Sequence, residues 1–272
     1  MSSPIETVAP LATPPAPPSP AQNGVQAVAP LEVLPNLDEI VIEDGLPVDS
    51  IFAEKQQRLL TEPLYSGWTG PGSGRTFQAF SNVGLFYGQS HSLSPDVMLA
   101  LDIPTGGDLA LRKNRSYFIW ERLKPPDVAI ELVSDRRGRE EDFKLHQYAL
   151  LGVSYYVIFD PLDRLHHGVL RAFANQAGTY EPLPAARFAR IGLGLVLWEG
   201  EFEGYRARWL RWCDDKGQII PTGQELAEQE RQRAEQEHQR AEQEHLRAEQ
   251  QRQRVEQLEA KLRALGIDPQ QP

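Results

Sequence analysis

Apolar and polar positions along this chain switch between helical and strand periods. From Pro47 to Leu60, PVDSIFAEKQQRLL puts Ile51, Phe52, Leu59 and Leu60 at helical spacing behind Asp49 or Ser50, either of which can cap a helix. The glycine-rich GWTGPGSGRTFQAFSNVGLFYG then gives way to short β-type runs, and SPDVMLALDI predicts a strand with residues on two faces. PPDVAIELVS carries the strongest strand pattern, aliphatic and β-branched throughout, and reads as buried on both faces. Residues 139–151, REEDFKLHQYALL, return to helical spacing with acids in the first turn and Gly152 as the stop. YYVIFDP makes the next strand. This strand, helix, strand order predicts a mixed α/β sheet with flanking helices. HHGVLRAFA, TYEPL and GLVLWEGEFEGYRARWL are expected to complete that sheet as antiparallel strands.

The two ends follow other rules. Residues 1–35 hold nine prolines, two acids and no base, a composition that opposes both helix and ladder and predicts a disordered tether. At the other end, RQRAEQE, HQRAEQE, HLRAEQQ, RQRVEQL and EAKLRAL begin at residues 231, 238, 245, 252 and 259, a strict period of seven. The fourth positions read Ala234, Ala241, Ala248, Val255 and Leu262; the seventh read Glu237, Glu244, Gln251, Leu258 and Leu265. Only the last two heptads offer an apolar seam, so a long solvated helix is expected, with a homo-oligomer through its end as one outcome. Arg233 with Glu237 and Arg240 with Glu244 are expected to pair along it. The chain thus divides into a tether (1–35), a central domain (36–215), a heptad helix or coiled coil (221–266) and a short tail (267–272).

Composition narrows the setting. The single cysteine, Cys213, excludes an intramolecular disulfide, and no stretch has the form of a secretory signal or a membrane span, so a soluble cytoplasmic protein is expected. The net charge of −10 argues against indiscriminate phosphate binding. Two basic clusters, Arg112, Lys113, Arg115 and Arg136, Arg137, Arg139, flank the strongest strand; they read as solvated loops or as a phosphate track.

The informative residue is Glu131, a carboxylate in the middle of AIELV. Burying a charge in an apolar strand is costly unless it is paired or binds a metal, so a structural ion pair and a metal ligand are both open. Asp127 shares its face but stands four residues, about 13 Å, away, too far to share one ion. Asp96, from a neighbouring strand about 4.8 Å away, can share it, which leaves Asp127 as a cap at the start of its strand. The histidines show no zinc spacing with cysteine, and GPGSG at 70–74 has no following Lys-Ser/Thr, so it reads as a loop.

SPDVMLALDI, PPDVAIELVS, a helix with E-x-x-x-K-x-x-x-Y spacing and GVSYYVIFDP, in this order, resemble the Uma-type restriction endonuclease family, common in cyanobacteria, over roughly residues 38–215. The heptad tail ending in RALGIDP is similar to tails on members. The resemblance implies a PD-(D/E)xK nuclease fold and a metal-dependent DNA endonuclease. It also implies Mg²⁺ (or Mn²⁺) on Asp96, Glu131 and the Leu132 carbonyl, with Glu54 as an accessory ligand. The lysine of the general fold pattern would stand two residues after the glutamate, where this chain has Val133. The family pattern implies Lys144 instead, on the next helix, with Tyr148 one turn later; the residues alone equally allow Lys144 to pair with Glu140. An RNA substrate, or an inactive nuclease fold acting as an interaction protein through its tail, remain the alternatives.

Overall fold

The computed structural model describes residues 50–72, 74–88, 91–133 and 143–264. The Pro-rich tether, the second basic cluster with Glu140, and the 267–272 tail lie outside the described residues.

Helix α1 (Ile51–Ser66) opens on Ser50, whose Oγ accepts from the Ala53 N–H at 3.2 Å. Strands β1 (Phe77–Ser81), β2 (Leu85–Gly88), β3 (His91–Leu93) and β4 (Val97–Leu101) follow. Next come β5 (Tyr117–Phe118), the single turn α2 (Ile119–Arg122) and β6 (Val128–Leu132). Helix α3 (Leu145–Leu151) ends on Gly152 at φ 84°, a left-handed stop that glycine adopts without a Cβ penalty. After it lie β7 (Tyr155–Phe159), β8 (Leu170–Gln176), β9 (Thr179–Pro182), β10 (Arg187–Phe188), β11 (Leu193–Phe202), β12 (Tyr205–Asp214) and helix α4 (Gly223–Ala264).

The main sheet has the order β1-β4-β6-β7-β8-β9. Only β6 and β7 run parallel in this sheet, and α3 lies between them in the chain, as the strand, helix, strand order predicts. Alternation along the strands divides two cores. Val97, Leu99, Leu101, Val128, Ile130 and Val157 face α1 and the β10-β11-β12 sheet, whereas Met98, Ala100, Ala129, Val133 and Ile158 face α3 and the small β3-β2-β5 sheet. Side chains of α1 fix the first face: Gln56 exchanges hydrogen bonds with the Leu210 backbone at 2.8 and 2.9 Å, and Trp212 Nε1 donates to the Leu60 carbonyl at 2.7 Å.

One expectation is corrected. GLVLWEGEFEGYRARWL does not complete the main sheet; β11 and β12 pair with each other over ten residues and, with β10, form a separate sheet. Its turn explains the independence. Glu203 and Gly204 both take positive φ, 48° and 82°, the backbone of a two-residue hairpin turn whose twist matches the strands it joins.

The tail is a 42-residue helix with no buried residue. Thr222 and Glu225 cap it reciprocally: Glu225 N–H donates to Thr222 Oγ1 at 3.1 Å and Thr222 N–H to Glu225 Oε2 at 2.8 Å. Arg211 of β12 grips the same carboxylate at 2.6 and 2.8 Å, rooting the helix in the domain. Farther out, Arg233 reaches back to Glu230 at 3.9 Å rather than forward to the expected Glu237. No helix among the described residues is long and apolar enough to cross a membrane.

Candidate active site

Glu131 is 1% exposed in the centre of β6. Alternation puts it on the α3 side of the sheet, between Ala129 and Val133. Helix α3 covers it with two side chains one turn apart: Tyr148 donates its phenol to Oε1 at 2.8 Å, and Lys144 Nζ stands 2.7 Å from Oε2. The alternative partner for Lys144, Glu140, lies outside the described residues.

Asp96 comes from the opposite direction. The antiparallel register of β4 on β6 pairs Val97 with Ile130 and Met98 with Ala129; one step further sets Asp96, immediately before β4, across from Glu131. Residues directly opposite on antiparallel strands present side chains to the same face with Cβ atoms about 5 Å apart. Asp96 Oδ2 also accepts the Leu132 N–H at 2.7 Å, which fixes the carboxylate against the end of β6.

The electrostatics follow from this placement. Burial pushes the Glu131 carboxyl up to about 8; the Lys144 charge opposes the shift, the neighbouring Asp96 carboxylate adds to it, and the hydrogen bonds from Lys144 and Tyr148 pull the other way. Burial outweighs a lysine in direct contact, so Glu131 is held toward its protonated form. The Tyr148 phenol is driven far above its ordinary range by burial and by Glu131, and stays a hydrogen-bond donor.

The remaining sequence candidates separate. Asp127, at the start of β6, takes the Leu101 N–H at 2.8 Å and the Lys124 ammonium at 2.7 and 3.0 Å, the capping role expected of it. Glu54 is not brought to the Asp96 and Glu131 pair: it sits half-exposed on α1, which packs on the other face of the sheet, and bonds Arg58 at 2.8 Å. Arg112 and Lys113 occupy an exposed turn.

The sequence reading gave Tyr148 no contact, although its position four residues after Lys144 places both on one helical face. It also missed a cleft of about 750 Å³ at the end of β6, bounded by Val133, Phe52, Leu162, Arg164, Arg206 and Arg208. Arg208 is held by Glu199 at 3.0 and 3.1 Å. Arg206 and Arg208 alternate on β12, a strand signal in itself, but their meeting with Arg164 depends on how the hairpin packs.

Asp96, Glu131 and the Leu132 carbonyl are hard oxygen donors of the kind Mg²⁺ takes, and Mg²⁺ commonly uses one or two carboxylates with water and phosphate as its other ligands. Among the described residues no group of three or more His, Cys, Asp or Glu could hold a metal ion, so two carboxylates and a carbonyl are the protein ligands this place offers. Among comparisons with known proteins, the family model described as "Uma2: Putative restriction endonuclease" matches residues 29–197, more than half of the chain. No curated protein matches it.

Proposed function

Because the chain belongs to the Uma2 restriction endonuclease family, we propose that it is a Mg²⁺-dependent DNA endonuclease whose metal is held by Asp96, Glu131 and the Leu132 carbonyl. The observation that carries this reading is Glu131 itself, a carboxylate buried in an apolar strand and facing a second carboxylate across the β4–β6 register. A divalent cation bound there would polarise the scissile phosphate and lower the pKa of the attacking water.

The protein's own groups do the rest. Tyr148 keeps Glu131 Oε1 fixed, and the Leu132 N–H keeps Asp96 Oδ2 fixed, so both ligands are held in place before substrate arrives. Lys144 neutralises Glu131 in part and stands where its ammonium can orient the attacking water and offset charge growing on phosphate. Arg164, Arg206 and Arg208 in the cleft beside Val133 offer a path for the phosphate backbone.

Incubation of plasmid and linear DNA with the protein in Mg²⁺ or Mn²⁺ tests the reading. Nicking or cleavage that EDTA and Glu131→Ala both abolish, and that truncation after Gln232 leaves intact, is the expected result; no cleavage of any duplex or single strand with either ion overturns it. A second reading, an interaction protein on an inactive nuclease fold, draws on α4, which exposes Leu246, Val255 and Leu258 without covering any of them. Self-association lost on that truncation, in a protein that cuts nothing, supports it instead.

A further inference from the structure

The small β3-β2-β5 sheet turns one face inward and the other to solvent. Leu85 and Tyr117, paired across β2 and β5, enter the core beneath it. The next pair, Phe86 and Phe118, must therefore point outward. Their rings lie 5.0 Å apart, and Trp120, 49% exposed on α2, continues the row at 5.1 Å from Phe118. The Phe86 ring is seated on Gly84, where a Cβ would come within 2.9 Å of it, so glycine there holds the ring in its place in the row.

Cations border this row. Arg112 and Arg115 line the same 470 Å³ hollow as Phe86, Phe118 and Trp120. Arg115 spends part of its guanidinium on the carbonyls of Leu109 and Ala110, at 2.8 and 3.1 Å, which braces the loop. Arg112 is exposed, and its guanidinium has no hydrogen-bond or ion-pair partner among the described residues. Three outward aromatic rings beside the guanidinium groups of Arg112 and Arg115 form a surface suited to an anionic partner that also offers flat apolar faces.

We propose that this outer face is a docking platform for single-stranded DNA, whose bases stack on Trp120, Phe118 and Phe86 while Arg112 and Arg115 take the phosphates between them. A duplex keeps its bases stacked inside and can offer only phosphates to such a surface, whereas an unpaired strand offers both. The proposal deepens the nuclease reading and rests on it for its substrate: the enzyme would select DNA with an unpaired stretch, such as a flap, bubble or single-stranded end.

The test uses the full chain carrying Glu131→Ala, in EDTA so that nothing is cut, with fluorescein-labelled oligo-dT and a duplex of equal length followed by anisotropy. The oligo-dT is expected to bind more tightly than the duplex. Trp120→Ala should weaken it by about tenfold with duplex binding unchanged, and Arg112→Glu should reduce the salt dependence of binding. Both side chains are exposed, so far-ultraviolet circular dichroism should stay native. Unchanged oligo-dT affinity in both variants overturns the proposal, as does equal loss on duplex and single strand. So does a dimer that Trp120→Ala converts to monomer without altering DNA affinity. Cleavage by the unaltered chain is scored separately: cutting with no effect of Trp120→Ala removes the platform and leaves the nuclease, while stacking without cutting does the reverse.

Discussion

Asp127, just before β6, and Glu131, within it, each have a lysine ammonium 2.7 Å away, and the contrast between them separates architecture from chemistry. Asp127 takes a backbone N–H of β4 as well as Lys124, and Lys124 in turn donates to the Leu101 carbonyl at 3.0 Å. That group ties β4 to β6 and its donors are committed to it. Glu131 receives only side chains, Tyr148 and Lys144, both from a helix, and it faces Asp96. None of those donors belongs to the strand ladder, so the sheet does not depend on them. A lysine beside a carboxylate thus means little alone; the source of the other donors, and a second carboxylate, mark the site.

The largest expected break of this contrast is in cleavage. Glu131→Ala and Asp96→Ala should abolish metal-dependent cutting of DNA, while Asp127→Asn should preserve it in the fraction that folds. Lys144→Met should slow cleavage by about 10²–10⁴-fold, measured as single-turnover rate with metal saturating. The same variant should lose more stability at pH 9 than at pH 6, because without the lysine the Glu131 carboxyl is pushed up further and must keep its proton at a pH where the unfolded chain releases it. Equal destabilisation at both pH values, read from urea denaturation, would show that Lys144 serves only packing.

The pH profile sharpens the contrast further. Glu131 keeps its proton up to about 8 in the folded chain and loses it in the ordinary carboxylate range when unfolded. Between those limits the unfolded state binds fewer protons, so thermal stability in EDTA should fall as pH rises and level off above about 8. Glu131→Gln should flatten that decline. The smallest effect concerns the tail: truncation after Gln232 should leave the melting temperature of the domain in place. Glu225→Ala should cost about 1–3 kcal/mol because it removes a helix cap and strands Arg211, whose side chain is 4% exposed.

Much of this site was legible in sequence because β6 is a short, unambiguous strand. A lone acid in AIELV announces its own burial, and the strand spacing already disfavours Asp127 as its companion. Lys144 was different. A lysine on an amphipathic helix can face solvent or core, and only its resemblance to a family pattern, then its observed contact with Glu131, gave it a direction. Partnership between distant strands was the least legible: β11 and β12 have good strand patterns, but a ten-residue hairpin closed by Glu203-Gly204 satisfies its own backbone, and nothing in its alternation says which sheet it joins.

The central claim is that Asp96 and Glu131 share a divalent cation. Isothermal titration of Mg²⁺ into the full chain at pH 8, repeated on Asp96→Asn, Glu131→Gln and Asp127→Asn, tests it most directly. Binding of one ion per chain with proton release, lost in the first two variants and kept in the third, is the predicted result. Binding that survives Glu131→Gln, or that Asp127→Asn alone removes, contradicts the claim.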